Sequence, residues 1–172
     1  NFEFIPLWKQ FQLGDGNVAE IDVVGSYNNL AQYQEGNGNV AVTATIAGSQ
    51  NASVIVQQGD GNYSDVTIEG DDNLACNEQR GDFNESQIIQ FDQFNVACVS
   101  QLGSANYSLV DQMGIANESY VKQSGFGNYP TVEQHIGGNL AEVTQIGMDH
   151  ISTVWQDGLT NTAVVVQQFA TP

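Results

Sequence analysis

Residues 95–127 read NVACVSQLGSA, NYSLVDQMGIA and NESYVKQSGFG when broken every eleven residues. Asn opens each line, Ala or Ser stands two places on, Val four and Gln six, with Gly two beyond the Gln. The fixed places alternate, which is the period of a strand and not of a helix.

The same columns extend in both directions. Asn recurs at Asn17, Asn28, Asn39, Asn51, Asn62, Asn73, Asn84, Asn95, Asn106, Asn117, Asn128, Asn139 and Asn161, with His150 in the one vacant place. The spacing is eleven except for twelve between Asn39 and Asn51. Counting each Asn as position 0, Gln fills +6 at Gln34, Gln57, Gln79, Gln90, Gln101, Gln112, Gln123, Gln134, Gln145, Gln156 and Gln167. Val23, Thr45 and Ile68 replace it. Gly fills −3 at Gly14, Gly25, Gly36, Gly48, Gly59, Gly70, Gly81, Gly103, Gly114, Gly125, Gly147 and Gly158, with Asp92 and Ile136 as the exceptions. Position +2 is Ala or Ser except at Leu30 and Pro130, and +4 is β-branched except at Gln32 and Asn77.

A strand, a glycine turn of about four residues and another strand make an array of β-arches. Identical columns favour parallel, in-register stacking over a hairpin meander, so each strand is flanked by those 22 residues away. The expected fold is all-β: a parallel in-register β-solenoid with two strands per 22-residue turn and seven turns. At about 4.8 Å per turn the rod is roughly 34 Å long. Residues 1–16 form an N-terminal segment in which Gln12-Leu13-Gly14 already resembles the end of a unit; 17–172 hold the repeats. Positions 0, +2, +4 and +6 face inward. Stacked Asn and Gln side chains can then satisfy one another along the axis, each carbonyl accepting from the amide of its copy one turn away.

The Q-x-G-x-x-N-x-A-x-x-x-Q string resembles the curlin repeat of curli subunits, the extracellular functional amyloid of bacterial biofilms. It is carried by Gln101, Gly103, Asn106, Ser108 and Gln112, and by Gln134, Asn139, Ala141 and Gln145. Gln57, Gly59, Asn62 and Ser64 form a partial copy ending in Ile68. The resemblance implies a secreted structural subunit of a fibre on the cell surface or in the biofilm matrix. It further implies polymerisation templated by a nucleator and export through an outer-membrane secretion apparatus. The family commonly begins the first strand of each repeat with Ser, where Asn84, Asn106 and Asn128 stand here, and it usually has fewer turns. A nucleating minor subunit would be expected to end in a degenerate, basic repeat, and this final repeat is regular. The pattern at Asn161–Gln167 shows no cap, which favours a head-to-tail polymer over a capped solenoid acting as a binding or adhesin module. An ice-binding face would need a Thr-rich outer column, and the outer columns are mixed.

Composition excludes other classes. Twenty acidic residues against three Lys and Arg give a net charge of −17, which leaves no basic footprint for nucleic acid or anionic membrane. No apolar run is long enough for a membrane helix. Asn1–Phe11 has no signal-peptide pattern, as a mature secreted chain also would not. His135, placed in a turn, and His150 have no spacing that suggests catalysis or metal binding; no enzyme, cofactor or metal is expected. Cys76 and Cys98, 22 apart at +3, stack on adjacent turns as two free thiols or as a disulfide. Free thiols are the favoured reading, because parallel neighbours aim their side chains alike. Asp15, Asp60 and Asp82 share a turn column, read as solvated gatekeepers, with cation bridging the alternative. Like charges are expected to be mostly kept apart, as Val42 separates Glu20 from Asp65. Tyr63, Tyr107 and Tyr129 share an outer column suited to a half-exposed face or to lateral association. The extra residue before Asn51 predicts a bulge around Ala47–Gln50, and Pro130 removes one ladder donor.

Overall fold

A computed structural model describes residues 8–169. The chain is a β-solenoid of two parallel sheets whose strands alternate along the sequence. One sheet holds β1 (Trp8–Leu13), β3 (Asn29–Glu35), β5 (Ala52–Gln58), β7 (Leu74–Arg80), β9 (Val96–Ser104), β11 (Glu118–Phe126), β13 (Leu140–Met148) and β15 (Thr162–Gln168) in that order. The other holds β2 (Val18–Ser26), β4 (Val40–Ser49), β6 (Tyr63–Glu69), β8 (Glu85–Phe91), β10 (Tyr107–Ile115), β12 (Tyr129–Gly137) and β14 (Ile151–Leu159). Register is that of the columns: Gln101 lies beside Gln79 and Gln123, and Val110 beside Ile88 and Val132.

The inner face is the constrained one. Ala41, Ala97 and Ala141 at +2 and Ile55, Val66, Ile88, Val110 and Val132 at +4 are fully buried between the sheets. Small residues at +2 let the sheets approach, and branched ones at +4 fill the middle with side chains that suit a pleated strand. Gln32 and Asn77, the polar exceptions at +4, find partners across the core, Gln32 Nε2 donating to Thr43 Oγ1 at 3.1 Å and Asn77 Nδ2 to Ser64 Oγ at 2.5 Å.

The arches are tighter than four-residue turns. In β9 to β14 the ladder continues through position −3, glycine in all but β12, where it is Ile136, and His135 belongs to β12 and not to a turn. The reason is that the arches stack as well: Gly36 N–H donates to Leu13 O and Gly59 N–H to Glu35 O, each at 2.9 Å. At Gly103, φ is +112° and an added Cβ would lie 2.0 Å from Gly125 O, so the stacked backbones leave room for glycine alone. Two positions later, at −1, every unit is left-handed with φ between 54° and 68°, including those carrying Phe83, Phe94 and Thr160. The extra residue before Asn51 shifts the β4–β6 register between Thr45 and Ala47, just upstream of the expected bulge. Beside Pro130 the β10–β12 ladder begins only at Leu109 and Thr131, whereas β8–β10 begins at Glu85 and Tyr107.

Candidate functional site

The buried amides form the candidate site, and the two kinds are used differently. Each Asn Oδ1 accepts the backbone N–H of the Asn one turn later, at 2.9–3.2 Å from Asn17→Asn39 to Asn139→Asn161. The Nδ2 donates to the carbonyl at −3 in the next turn, as Asn39 to Gly59 and Asn84 to Gly103 at 2.7 and 2.8 Å. The expected side-chain-to-side-chain ladder therefore holds only as an addition here, for instance Asn106 Nδ2 to Asn84 Oδ1 at 3.0 Å. Asn is short enough for its amide to reach the arch backbone, so it pins the arch and not merely its copy. His150 keeps the backbone half of this arrangement, donating its N–H to Asn128 Oδ1 at 3.3 Å.

Glutamine forms the direct ladder. Nε2 donates to the next Oε1 at 2.7–3.0 Å through Gln12, Gln34, Gln57, Gln79, Gln101 and Gln123, through Gln90, Gln112, Gln134 and Gln156, and from Gln145 to Gln167. Its second proton crosses the core. Gln79 donates to Tyr63 O, Gln101 to Glu85 O and Gln112 to Val96 O at 2.8–2.9 Å, which ties one sheet to the other. That crossing bond has no signature in the periodicity. Gln12, outside the assigned repeats, also belongs to the ladder; its signal was its position 22 residues before Gln34.

The ladders have breaks with visible causes. Gln90 Oε1 is buried without a partner because Ile68 stands where the donor would be. Gln145 Oε1 is also without one, since Gln123 donates to Asn128 O instead. At the ends, Asn161 Oδ1 accepts nothing among the described residues, and Gln167 Nε2 makes only its crossing bond to Ile151 O. The strand edges beyond β14 and β15 face no further described strand.

Outside the core, Cys76 and Cys98 are bonded, with Cα atoms 4.6 Å apart, where free thiols were favoured. In-register neighbours aimed the same way bring their sulfurs together. They lie in a shallow, largely apolar groove with Val54 and Tyr120 on the outer face of the eight-stranded sheet. The turn acids have a structural use: Asp60 Oδ1 accepts the N–H of Asn37, and Asp82 Oδ1 that of Asp60. Asp60 and Asp82 are thus direct neighbours, as are Asp111 and Glu133, so like charges are less segregated than expected. These contacts persist because hydrogen bonds hold the turn pair and the other pair sits in a fixed register. Asp65 is raised above the usual carboxylate value by burial, and Asp111 by burial and then by Glu133, against an opposing pull from His135. Tyr107 stacks on Tyr129 with centroids 4.2 Å apart, and burial first, then its hydrogen bond to Tyr129, raises its phenol to about 12.

What this arrangement offers among the described residues is repetition, with each turn presenting the next with the same donors and acceptors. Residues 95–135 match the family model described as Curlin associated repeat. No curated protein and no solved structure matches the chain.

Proposed function

We propose that this chain is a curlin-repeat protein, a reading that the match over residues 95–135 supports, and that it is a structural subunit of an extracellular cross-β fibre, assembling head to tail by templated strand addition. One observation carries the reading. Wherever the glutamine ladder is made its Nε2 donates toward the later turn, and the described residues leave complementary groups at their two edges: Asn161 Oδ1 and the Nε2 of Gln156 and Gln167 at one, the Oε1 of Gln12 and the N–H of Asn17 at the other. A fibre end supplies an open strand edge, and an incoming chain folds by completing backbone and amide ladders together. The chemistry is structural and not catalytic, in keeping with the family. By the same resemblance the subunit is secreted through an outer-membrane apparatus into the biofilm matrix and is started by a nucleator.

The test is assembly of purified chain released from denaturant at micromolar concentration. Thioflavin fluorescence that rises after a lag, loses the lag on seeding, and accompanies unbranched fibres with a layer line near 4.8 Å is the expected result. A stable monomeric rod with flat fluorescence would sink it.

A further inference from the structure

We propose that Tyr107 and Tyr129 form an oxidative modification site, at which a haem peroxidase with hydrogen peroxide joins the two rings through their ortho carbons into a dityrosine bridge between β10 and β12. Both residues lie within one chain, so the proposal rests on the fold and not on the fibre reading above.

Register selects the pair. On the outer face of the seven-stranded sheet the +1 column runs Tyr63, Glu85, Tyr107, Tyr129 and Ile151. The rings of Tyr107 and Tyr129 stack with centroids 4.2 Å apart and planes 9° from parallel, which sets ring carbon against ring carbon. Glu85 stands between Tyr63 and Tyr107. On the other sheet, Tyr33 has Phe11 and Val56 as its in-register neighbours, and Tyr120 has Cys98 and Glu142. Of the five tyrosines on described strands, only Tyr107 and Tyr129 therefore have a second phenol beside them.

The surroundings suit coupling. Tyr129 is 44% exposed and Tyr107 is half-buried against it, so an oxidant that meets one ring meets the stack. Both cysteines are bonded, which leaves no thiol to quench a phenol radical. Pro130 has no N–H, and the β10–β12 ladder begins only at Leu109 and Thr131. The strand starts that carry the two rings are thus tied less closely than their neighbours, and the rings can move from face contact to bonding distance. A bridge there gives the seven-stranded sheet the turn-to-turn clasp that Cys76–Cys98 gives the eight-stranded one.

The step balances. Each phenol gives up one electron and its O–H proton, leaving a radical with spin on an ortho carbon. The two carbons form one C–C bond, and the hydrogen on each then passes to its own oxygen, restoring both phenols and both aromatic rings. The peroxide takes up the two electrons and two protons, its O–O bond breaks, and two waters result. Burial first, then the bond to Tyr129, holds the Tyr107 proton up to about 12, so at neutral pH electron and proton leave that ring together.

The test treats the folded, unaltered chain with haem peroxidase and hydrogen peroxide, then reduces the disulfide and digests with trypsin. Cleavage after Lys122 separates Tyr107 from Tyr129, the lone tyrosine of residues 123–169. The expected product has blue dityrosine fluorescence, runs as a single chain on a denaturing gel, and yields two peptides joined at Tyr107 and Tyr129 with the loss of two hydrogens. Tyr120 is nearer to both in sequence but lies on β11 of the opposite sheet, so a disordered chain would couple through it. Bridges made chiefly through Tyr120 or between chains would overturn the proposal, as would tyrosine oxidation without any bridge. Tyr129→Phe keeps the ring and removes the phenol, and should cut the yield within a chain by about tenfold or more. Glu85→Tyr in that background sets a phenol beside both Tyr63 and Tyr107 and should restore it. A folded double variant that does not regain the bridge would refute coupling by stacked register, and the peptide map of the unaltered chain decides even where a variant fails to fold.

Discussion

The two sheets face the same core yet differ in how strictly they keep the pattern. On the eight-stranded sheet, Gln occupies +6 in every strand from Gln12 to Gln167 and Asn every anchor from Asn28 to Asn161. The seven-stranded sheet holds Val23, Thr45 and Ile68 at +6, His150 at an anchor, Pro130 at +2 and the extra residue in β4. The arches divide likewise. Those leaving the eight-stranded sheet are glycine at −3 from Gly14 to Gly147, and the returning ones contain Asp92 and Ile136. Register has to be held only once per turn. A glutamine in every strand of one sheet, laddered except between Gln123 and Gln145 and also reaching across to Tyr63 O and Glu85 O, holds it for both.

The largest effect should come from the glycine arches. Gly103→Ala would put a methyl into Gly125 O at a φ that favours glycine, and should destabilise the fibre by on the order of 3 kcal/mol or more. Its guanidinium dissolution midpoint should collapse; a midpoint unchanged from the parent would mean that the stacked arches can separate freely.

Next comes a paired exchange between the ladders. Gln101→Leu strands a proton of Gln79 Nε2 and the Oε1 of Gln123, and should cost about 2–4 kcal/mol. Ile68→Gln on the other sheet gives Gln90 Oε1 its missing donor, and should be neutral or stabilising by up to about 1 kcal/mol. Equal losses from both would show that the sheets are equivalent after all.

A smaller effect is pH dependence confined to the seven-stranded sheet, which carries both Asp65 and Asp111. Their folded values lie above 3.8, so protonation favours the folded state. The penalty is full above the raised values and vanishes as pH falls through them toward 3.8. Acid should therefore speed seeded elongation, and Asp65→Asn with Asp111→Asn should remove part of that acceleration. The charge of −17 adds a general acid effect, so the comparison is between variant and parent. An identical pH profile for the two would show that these carboxylates are not the ones responding.

The smallest effect should not distinguish the sheets at all. Ser108 on β10 and Ser119 on β11 both bury an Oγ without a partner, so Ser→Ala at either should stabilise by about 0.5–1 kcal/mol. A loss at one site would reveal a hydrogen bond peculiar to that sheet.

Much of this was legible in the residues. The alternation of constrained places from Asn95 to Gln123 identified strands and their buried face. The recurrence of identical columns identified parallel partners 22 residues away, down to Cys76 beside Cys98. What stayed hidden has a common cause. Phe83, Phe94 and Thr160 adopt the left-handed conformation although none of them prefers it, because the arch must turn in two residues and the stacked arches above and below fix its path. No residue preference at −1 could have signalled it. The line between His135 in a turn and His135 in β12 was equally invisible, since the ladder continues into the arch only when neighbouring arches are present to pair with it.

By itself the sequence determined which positions lie inside, which strands are neighbours and that amides would stack on amides, because a period of eleven leaves each side chain only one face and one column. The tertiary structure alone decided where each amide proton goes. An Asn proton reaches the arch carbonyl and a Gln proton the opposite sheet because side-chain length, set against the separation of the sheets and the tightness of the arch, selects among acceptors that the periodicity leaves equal.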